Sequence, residues 1–446
     1  MPEFRVAATV GAAVVILAAC TAPPVQGGSH GQKLVIPATV PTDQQISDAY
    51  LYLLGRLLIL RQERQDFERE GFRWNQVVHR APGAVAWANP NLDVAYSEAW
   101  VAVDETSCVQ LDIPKIAGRY YTWQMLNGWG ETVLNINERT YPAQPYGTYA
   151  LCLKGATVSL PAGVRRIDLP GKTFRVLARV ELGADAAEAA RLQRGFKLTP
   201  LGEPRIEPPI QVPVFTNKAM PGAEAFDWAD AILDGEPDIN PGMSTIRSEV
   251  ASVSVLARSS PDARARVEQV IRGQAWPALQ SQVRNLGTTR NGWVRAAITG
   301  NYGNDYKMRT AVNLVGIWAN NSDEVTYFGH RDLEGGAIYS QTFAAGQLPA
   351  QHARYFWSVI AVDARDYKVI PNALGRYLLN KESALQYNPD GSLTIVYAPE
   401  LPAGTPQSNW LPTPPGSRYN LTFRYYGADA DITNGATVPP PLVRRQ

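Results

Sequence analysis

Two stretches of this chain alternate apolar and polar residues in short runs separated by turn-forming clusters, and that rhythm limits the fold most. The first stretch, 84–181, holds five such runs: Val94 to Val103, Ser107 to Ile113, Tyr120 to Met125, Thr148 to Leu153 and Thr173 to Glu181. The second holds Ile338 to Phe343, Arg354 to Val362, Leu393 to Tyr397 and Arg418 to Tyr426. Period-two runs at this spacing, bounded by clusters such as Ala88-Asn89-Pro90-Asn91 and Leu160-Pro161-Ala162-Gly163, predict β-sandwich or jelly-roll layers. Between them the period lengthens, with predicted helices over 184–194, 223–233, 261–286 and 306–319 and a proline-rich crossing at 200–213. A further helix begins before the first stretch. Thr42-Asp43-Gln44-Gln45 forms a capping-box start, and Ile46, Ala49, Tyr50, Leu53, Leu57 and Leu60 follow at helical spacing, a face expected to pack over the first sandwich. The fold class expected is mainly β with a helical insert (α+β), two sandwich-like domains joined by a helical segment.

The amino terminus carries a different signal. Arg5 precedes the apolar run Val6–Ala19, and fourteen residues are too few to cross a ~30 Å hydrocarbon core, which needs about 20 in a helix. A short charged start and a short apolar run ending in small residues describe an export signal. Leu17-Ala18-Ala19-Cys20 has the pattern of a lipoprotein signal, with the Cys20 thiol as the lipid acceptor, although Glu3 weakens the positive start. Thr21 follows in place of the Asp that commonly retains lipoproteins at the inner membrane, so the expected location is the outer membrane, facing the periplasm. The divisions expected are a signal at 1–20, a flexible Pro/Gly/Ser tether at 21–41, a helix and sandwich at 42–200, a connector at 201–290, and a helix and sandwich at 291–446. With Cys20 lipidated, Cys108 and Cys152 remain as a pair on strand-like segments, expected to bridge in an oxidising compartment; two buried thiols are the alternative.

Composition removes several functions. Lys and Arg number 42 against 41 Asp and Glu, so no basic footprint suits nucleic acid. The four His are not spaced as ligand pairs, and no phosphate loop, dinucleotide glycine pattern, calcium loop or Gly-x-Ser-x-Gly elbow occurs, so neither metal nor cofactor is expected.

Polar aromatic segments supply the candidates for chemistry. Asn91, Asp93 and Tyr96 open one strand; Arg119, Tyr121 and Trp123 share one face of another, opposite Tyr120, Thr122 and Gln124. Such faces can stack on and hydrogen-bond a polyhydroxylated or carboxylated ligand, or satisfy one another inside a core. Asp305 and Arg309, at i and i+4 on a helix, either pair with each other or face the first domain across a cleft.

As a set, Asn91-Leu92-Asp93-Val94-Ala95-Tyr96-Ser97, Gly118-Arg119-Tyr120-Tyr121, Gly300-Asn301-Tyr302-Gly303-Asn304-Asp305-Tyr306, Phe356-Trp357-Ser358, Asp390-Gly391-Ser392-Leu393-Thr394-Ile395 and Asn409-Trp410-Leu411-Pro412 resemble a known pairing. It is that of bacterial exported proteins carrying the domains of unknown function 1254, N-terminal, and 1214, C-terminal. The resemblance implies two jelly-roll-like domains with helices between them in envelope proteins, and no settled activity. Val94, Asn127 and the segment 371–378 depart from the pairing's usual residues.

The function expected from these residues is an envelope enzyme acting on a glycan or other polar substrate. Asp93 and Asp305 would be acid and base across an interdomain cleft, with Asn91, Tyr96, Arg119, Tyr121 and Arg309 positioning the substrate. The alternatives are a non-catalytic lipoprotein binding a ligand or partner, and a small-molecule ester hydrolase with a Ser or Cys beside one of His79, His330 or His352.

Overall fold

The computed structural model describes residues 40–83 and 89–445, so the expected signal, Cys20 and most of the tether lie outside the described residues. The architecture is two β-sandwiches with helices packed between and beside them. In the first, a five-stranded sheet runs in the order Val78–His79, Val94–Ala102, Thr173–Glu181, Tyr121–Leu126, Thr132–Ile136. Its partner is ordered Arg165–Leu169, Gly147–Leu153, Cys108–Ile113, Lys197–Leu201. Alternation along each strand sends Val101, Trp123, Val176 and Leu151 into one core between the sheets. Cys108 and Cys152 sit directly opposite each other on neighbouring strands and are joined as a disulfide.

In the second sandwich a six-stranded sheet contains Val325–Leu333, Tyr419–Ala428 and Ala353–Asp363 as its middle strands, and packs on a four-stranded sheet that includes Tyr339–Phe343 and Leu393–Ala398. Its core gathers Phe328, Trp357, Tyr397 and Phe423. Trp410-Leu411-Pro412 is a short strand parallel to Leu393–Ala398, tied down by the Trp410 indole donating to the Ala398 carbonyl at 2.8 Å.

The first helix, Asp43–Arg69, starts at the predicted cap: the Thr42 hydroxyl accepts from the Gln45 amide, and the Gln45 side chain accepts from the Thr42 amide. It does not lie over the first sandwich with one stripe. Leu51, Tyr52, Leu54, Leu58 and Ile59 are buried as well as the predicted face, so it is covered on all sides. Helices Ser244–Ser259 and Tyr306–Gly316 pack along it, and it is the axis of the helical core. Gly55 makes one of these crossings possible: a Cβ there would stand 2.6 Å from the Thr310 hydroxyl oxygen. Ser244–Ser259 was not predicted, although Ile246, Val250, Val253 and Ala257 recur along it at helical spacing and form its buried face. The helix predicted over 261–286 forms as Pro261–Val270 and Trp276–Arg284, joined through a π-helical turn at Ile271–Ala275.

Candidate functional site

Each large sheet has a second face, turned away from its own core, and these two faces meet the helices around a hollow of about 490 Å³. On the first sandwich, strand pairing sets Tyr96 beside Arg179, Glu98 beside Leu177 and Trp100 beside Arg175. On the second, Tyr327 pairs with Arg424, Gly329 with Thr422 and Val325 with Tyr426. The end of helix Tyr306–Gly316 and the segment that follows it close the space with Val312, Val315, Ile317 and Trp318.

One end of the hollow is electrically balanced. Glu98 holds Arg175 directly and Arg80 at 3.2 Å, while Asp66 of the first helix lies 3.2 Å from Arg175. Burial would raise the Glu98 carboxyl, but the two guanidiniums outweigh it and keep the group ionised.

The other end is not balanced. Arg179 is 4% exposed and Arg424 3%, and among the described residues neither has a carboxylate within ion-pair distance. Arg179 donates to the Gln124 side-chain oxygen at 2.6 Å and to the Trp318 carbonyl at 3.4 Å. Arg424 donates to the carbonyls of Asn89 and Pro90 at 3.0 and 3.2 Å, and its Nη1 has no hydrogen-bond partner. Two of the three residues whose carbonyls accept these bonds, Trp318 and Asn89, have left-handed backbone, φ +65° and +47°. That conformation costs a tryptophan on the order of 1–3 kcal/mol and concentrates at ligand sites. Arg179 also lies 5.3 Å from the Tyr96 ring centroid. Burial pushes the Tyr327 and Tyr426 hydroxyls upward, so both stay protonated and can donate.

The sequence-predicted residues separate into two groups. Asn91 and Tyr96 line the hollow, and Asn91 donates across the seam to the Tyr426 hydroxyl. The remaining five do not meet them there. Asp93 is buried in the seam, where it accepts from Asn380 of the second sandwich at 2.8 Å; burial pushes its carboxyl up. Asp305 is an exposed helix cap accepting from the Met308 amide at 2.9 Å, so the two carboxylates do not form an acid–base pair across one cleft. Arg309 does not pair with Asp305: it is fully buried away from the hollow, 3.0 Å from both Glu131 and Asp238. Arg119 donates to the Glu181 and Leu182 carbonyls, and Tyr121 points into the first core with its hydroxyl on the Pro145 carbonyl at 3.1 Å. The opposite face of that strand reaches the seam, where Tyr120 donates to Glu324 at 3.0 Å.

A serine does stand beside a histidine: Ser97 Oγ is 2.8 Å from His79 Nδ1. Ser97 has no exposure, also reaches the Gln193 carbonyl, and no carboxylate orients His79, so a triad is not assembled among the described residues. No group of three potential metal ligands occurs among them either.

Arg179, Arg424, Glu98, Arg175, Tyr327 and Trp318 were missed from sequence. A signal existed for four of them: charges at alternate positions of apolar strands, as in Phe174-Arg175-Val176-Leu177-Ala178-Arg179-Val180, imply a second buried face.

Residues 74–200 match the family described as a protein of unknown function (DUF1254), and residues 328–430 match the one described as a protein of unknown function (DUF1214). The chain belongs to the proteins that carry these two domains in this order. Among solved structures it is similar to the VPA0106 protein from Vibrio parahaemolyticus at 17% identity, with 91% of this chain and 100% of that chain covered and a TM-score of 0.66. The two share a fold. An uncharacterized protein from Burkholderia cenocepacia is more distant, at 14% identity over 91% and 93% of the two chains with a TM-score of 0.43. No curated protein matches the chain.

Proposed function

We propose that this protein binds a small organic anion, a carboxylate on an apolar body, in the hollow between its sandwiches, without transforming it. One observation carries the reading: among the described residues neither Arg179 nor Arg424, buried on facing walls, is held in an ion pair, and the Asp93 carboxyl that Arg424 acts on is pushed towards its neutral form by burial. A buried charge is costly unless compensated, and an anion received between two guanidiniums and two protonated phenols is the compensation this geometry offers. The apolar side chains of Leu177, Val312, Ile317 and Trp318 suit the remainder of such a molecule. Catalysis has little to draw on, because the one carboxylate among the described residues of the wall, Glu98, is engaged by Arg80 and Arg175. A glycan hydrolase through Asp93 and Asp305 loses its support with their separation. The same reading takes the protein as exported and lipid-anchored at Cys20, presenting its hollow in the periplasm. The Cys108–Cys152 bridge supports that compartment.

Thermal unfolding of the full chain at fixed ionic strength, with octanoate or the uncharged octanamide, tests the site. Octanoate is expected to raise the midpoint, by about 2.7 kcal/mol of stability at a hundred times its dissociation constant, and octanamide to leave it in place. Equal responses, or none to octanoate, would remove the anion site.

A further inference from the structure

A second hollow of about 410 Å³ adjoins the first, and Asn217, Leu314 and Arg331 line both. Its apolar wall is made by Met220, Trp276, Leu279, Val283 and Leu314. Trp276, Leu279 and Val283 follow one flank of the helix Trp276–Arg284 at i, i+3 and i+7, and Leu286, just past its end, lines the inner hollow. One apolar stripe therefore passes from the outer hollow to the inner one. The π-helical turn Ile271–Ala275 immediately before Trp276 shifts the helical phase and sets which flank that stripe occupies. The two polar side chains at the junction are both engaged in hydrogen bonds within the protein. Asn217 donates to the Leu314 carbonyl at 3.1 Å and accepts from Arg61 at 2.8 Å, and Arg331 donates to the Val283 carbonyl at 2.9 Å. With its guanidinium held at the Val283 carbonyl, Arg331 has an aliphatic stem that can border the passage. Beyond it, Lys218 and Arg284 stand exposed at the outer hollow.

We infer that the two hollows hold one ligand, a single-chain free fatty carboxylate, with its head between Arg179 and Arg424 and its tail running past Leu314 along Leu286, Val283 and Leu279. This rests on the anion-binding reading and extends it from a small acid to an acyl chain. The free acid is favoured over a monoacyl phospholipid because the head site lies between buried side chains on facing sheets, where a glycerol phosphate would have to be buried as well.

Titration calorimetry of the full chain with octanoate, decanoate and dodecanoate, each below its micelle concentration, tests the inference. Affinity is expected to rise roughly fourfold for each added methylene, the gain for burying one such group. Val283→Asp, at a half-buried position, is expected to abolish that rise while leaving octanoate affinity within about twofold. Leu314→Trp, which narrows the junction from a different helix, is expected to abolish the rise as well and guards against a folding defect in either variant. Octanoate binding with no dependence on chain length would overturn the acyl passage and leave the anion site standing, whereas no binding of any acid would remove both. Tighter binding of dodecyl glycerophosphate than of dodecanoate would overturn the free acid as occupant.

Discussion

Arg309 and Arg179 are both buried guanidiniums facing aromatic rings, and they differ in what answers their charge. Arg309 lies between Glu131 and Asp238, 4.7 Å from the Trp129 ring centroid, and knits the first sandwich to the helical core. Arg179 has an amide oxygen and a backbone carbonyl, and beside it a hollow that Arg424 enters from the opposite wall. A buried cation with two carboxylates is a structural tie, and losing one member strands the rest. A buried cation with neutral acceptors beside open space leaves most of its field for something else. The contrast separates scaffold from site in a molecule whose polar residues look alike in sequence.

The contrast predicts unequal costs. Arg309→Met leaves two carboxylates buried and uncompensated, and is expected to lower unfolding free energy by about 3–5 kcal/mol in urea titrations; a loss below 1 kcal/mol would erase the distinction. Glu236 sharpens the scaffold side. Burial raises its carboxyl to about 7 against the lowering influence of Arg56 and the Gly128 amide. An acid raised on folding adds stability that is full below its unfolded value, near 4.5, and disappears as pH climbs through 7. Stability should therefore fall by about 3 kcal/mol between pH 4.5 and 7 from this group alone, and Glu236→Gln should remove that part of the slope. On the site side, Arg179→Met and Arg424→Met are expected to change stability by no more than about 1 kcal/mol, since each discards a buried charge that no ion pair holds along with two neutral hydrogen bonds.

Much of the scaffold was legible, and for a physical reason: alternation and capping are local. The strands from Val94 and from Thr173 follow directly from apolar residues at every second position, and Thr42 with Gln45 marks where the first helix begins. The burial of that helix on all sides was missed, although residues 49–54 and 57–60 are apolar without a break and so leave it no polar face; the helices that cover it arrive from 244–259 and 306–316. The site was legible in part. Asn91 and Tyr96 were found because a polar cluster opens their strand. Asp93, two residues from Asn91, is committed to Asn380, a partner nearly three hundred residues away that no local pattern announces. Tyr121 was placed on the right face, opposite Tyr120, but expected to position substrate for a similar reason: a strand's two faces are known from its period, but which one meets a neighbouring domain is decided by packing. Asp305 and Arg309 have helix-pair spacing, yet the carboxylates that hold Arg309 come from 131 and 238.

The most direct test of the account is decanoate affinity, measured by calorimetry on the full chain and on the Arg179→Met, Arg424→Met double variant, with urea midpoints recorded for both. The account predicts affinity lower by at least about 100-fold, the loss of two charge-assisted hydrogen-bond donors, in a variant that unfolds within about 1 kcal/mol of the parent. Undiminished affinity in that folded variant would contradict it.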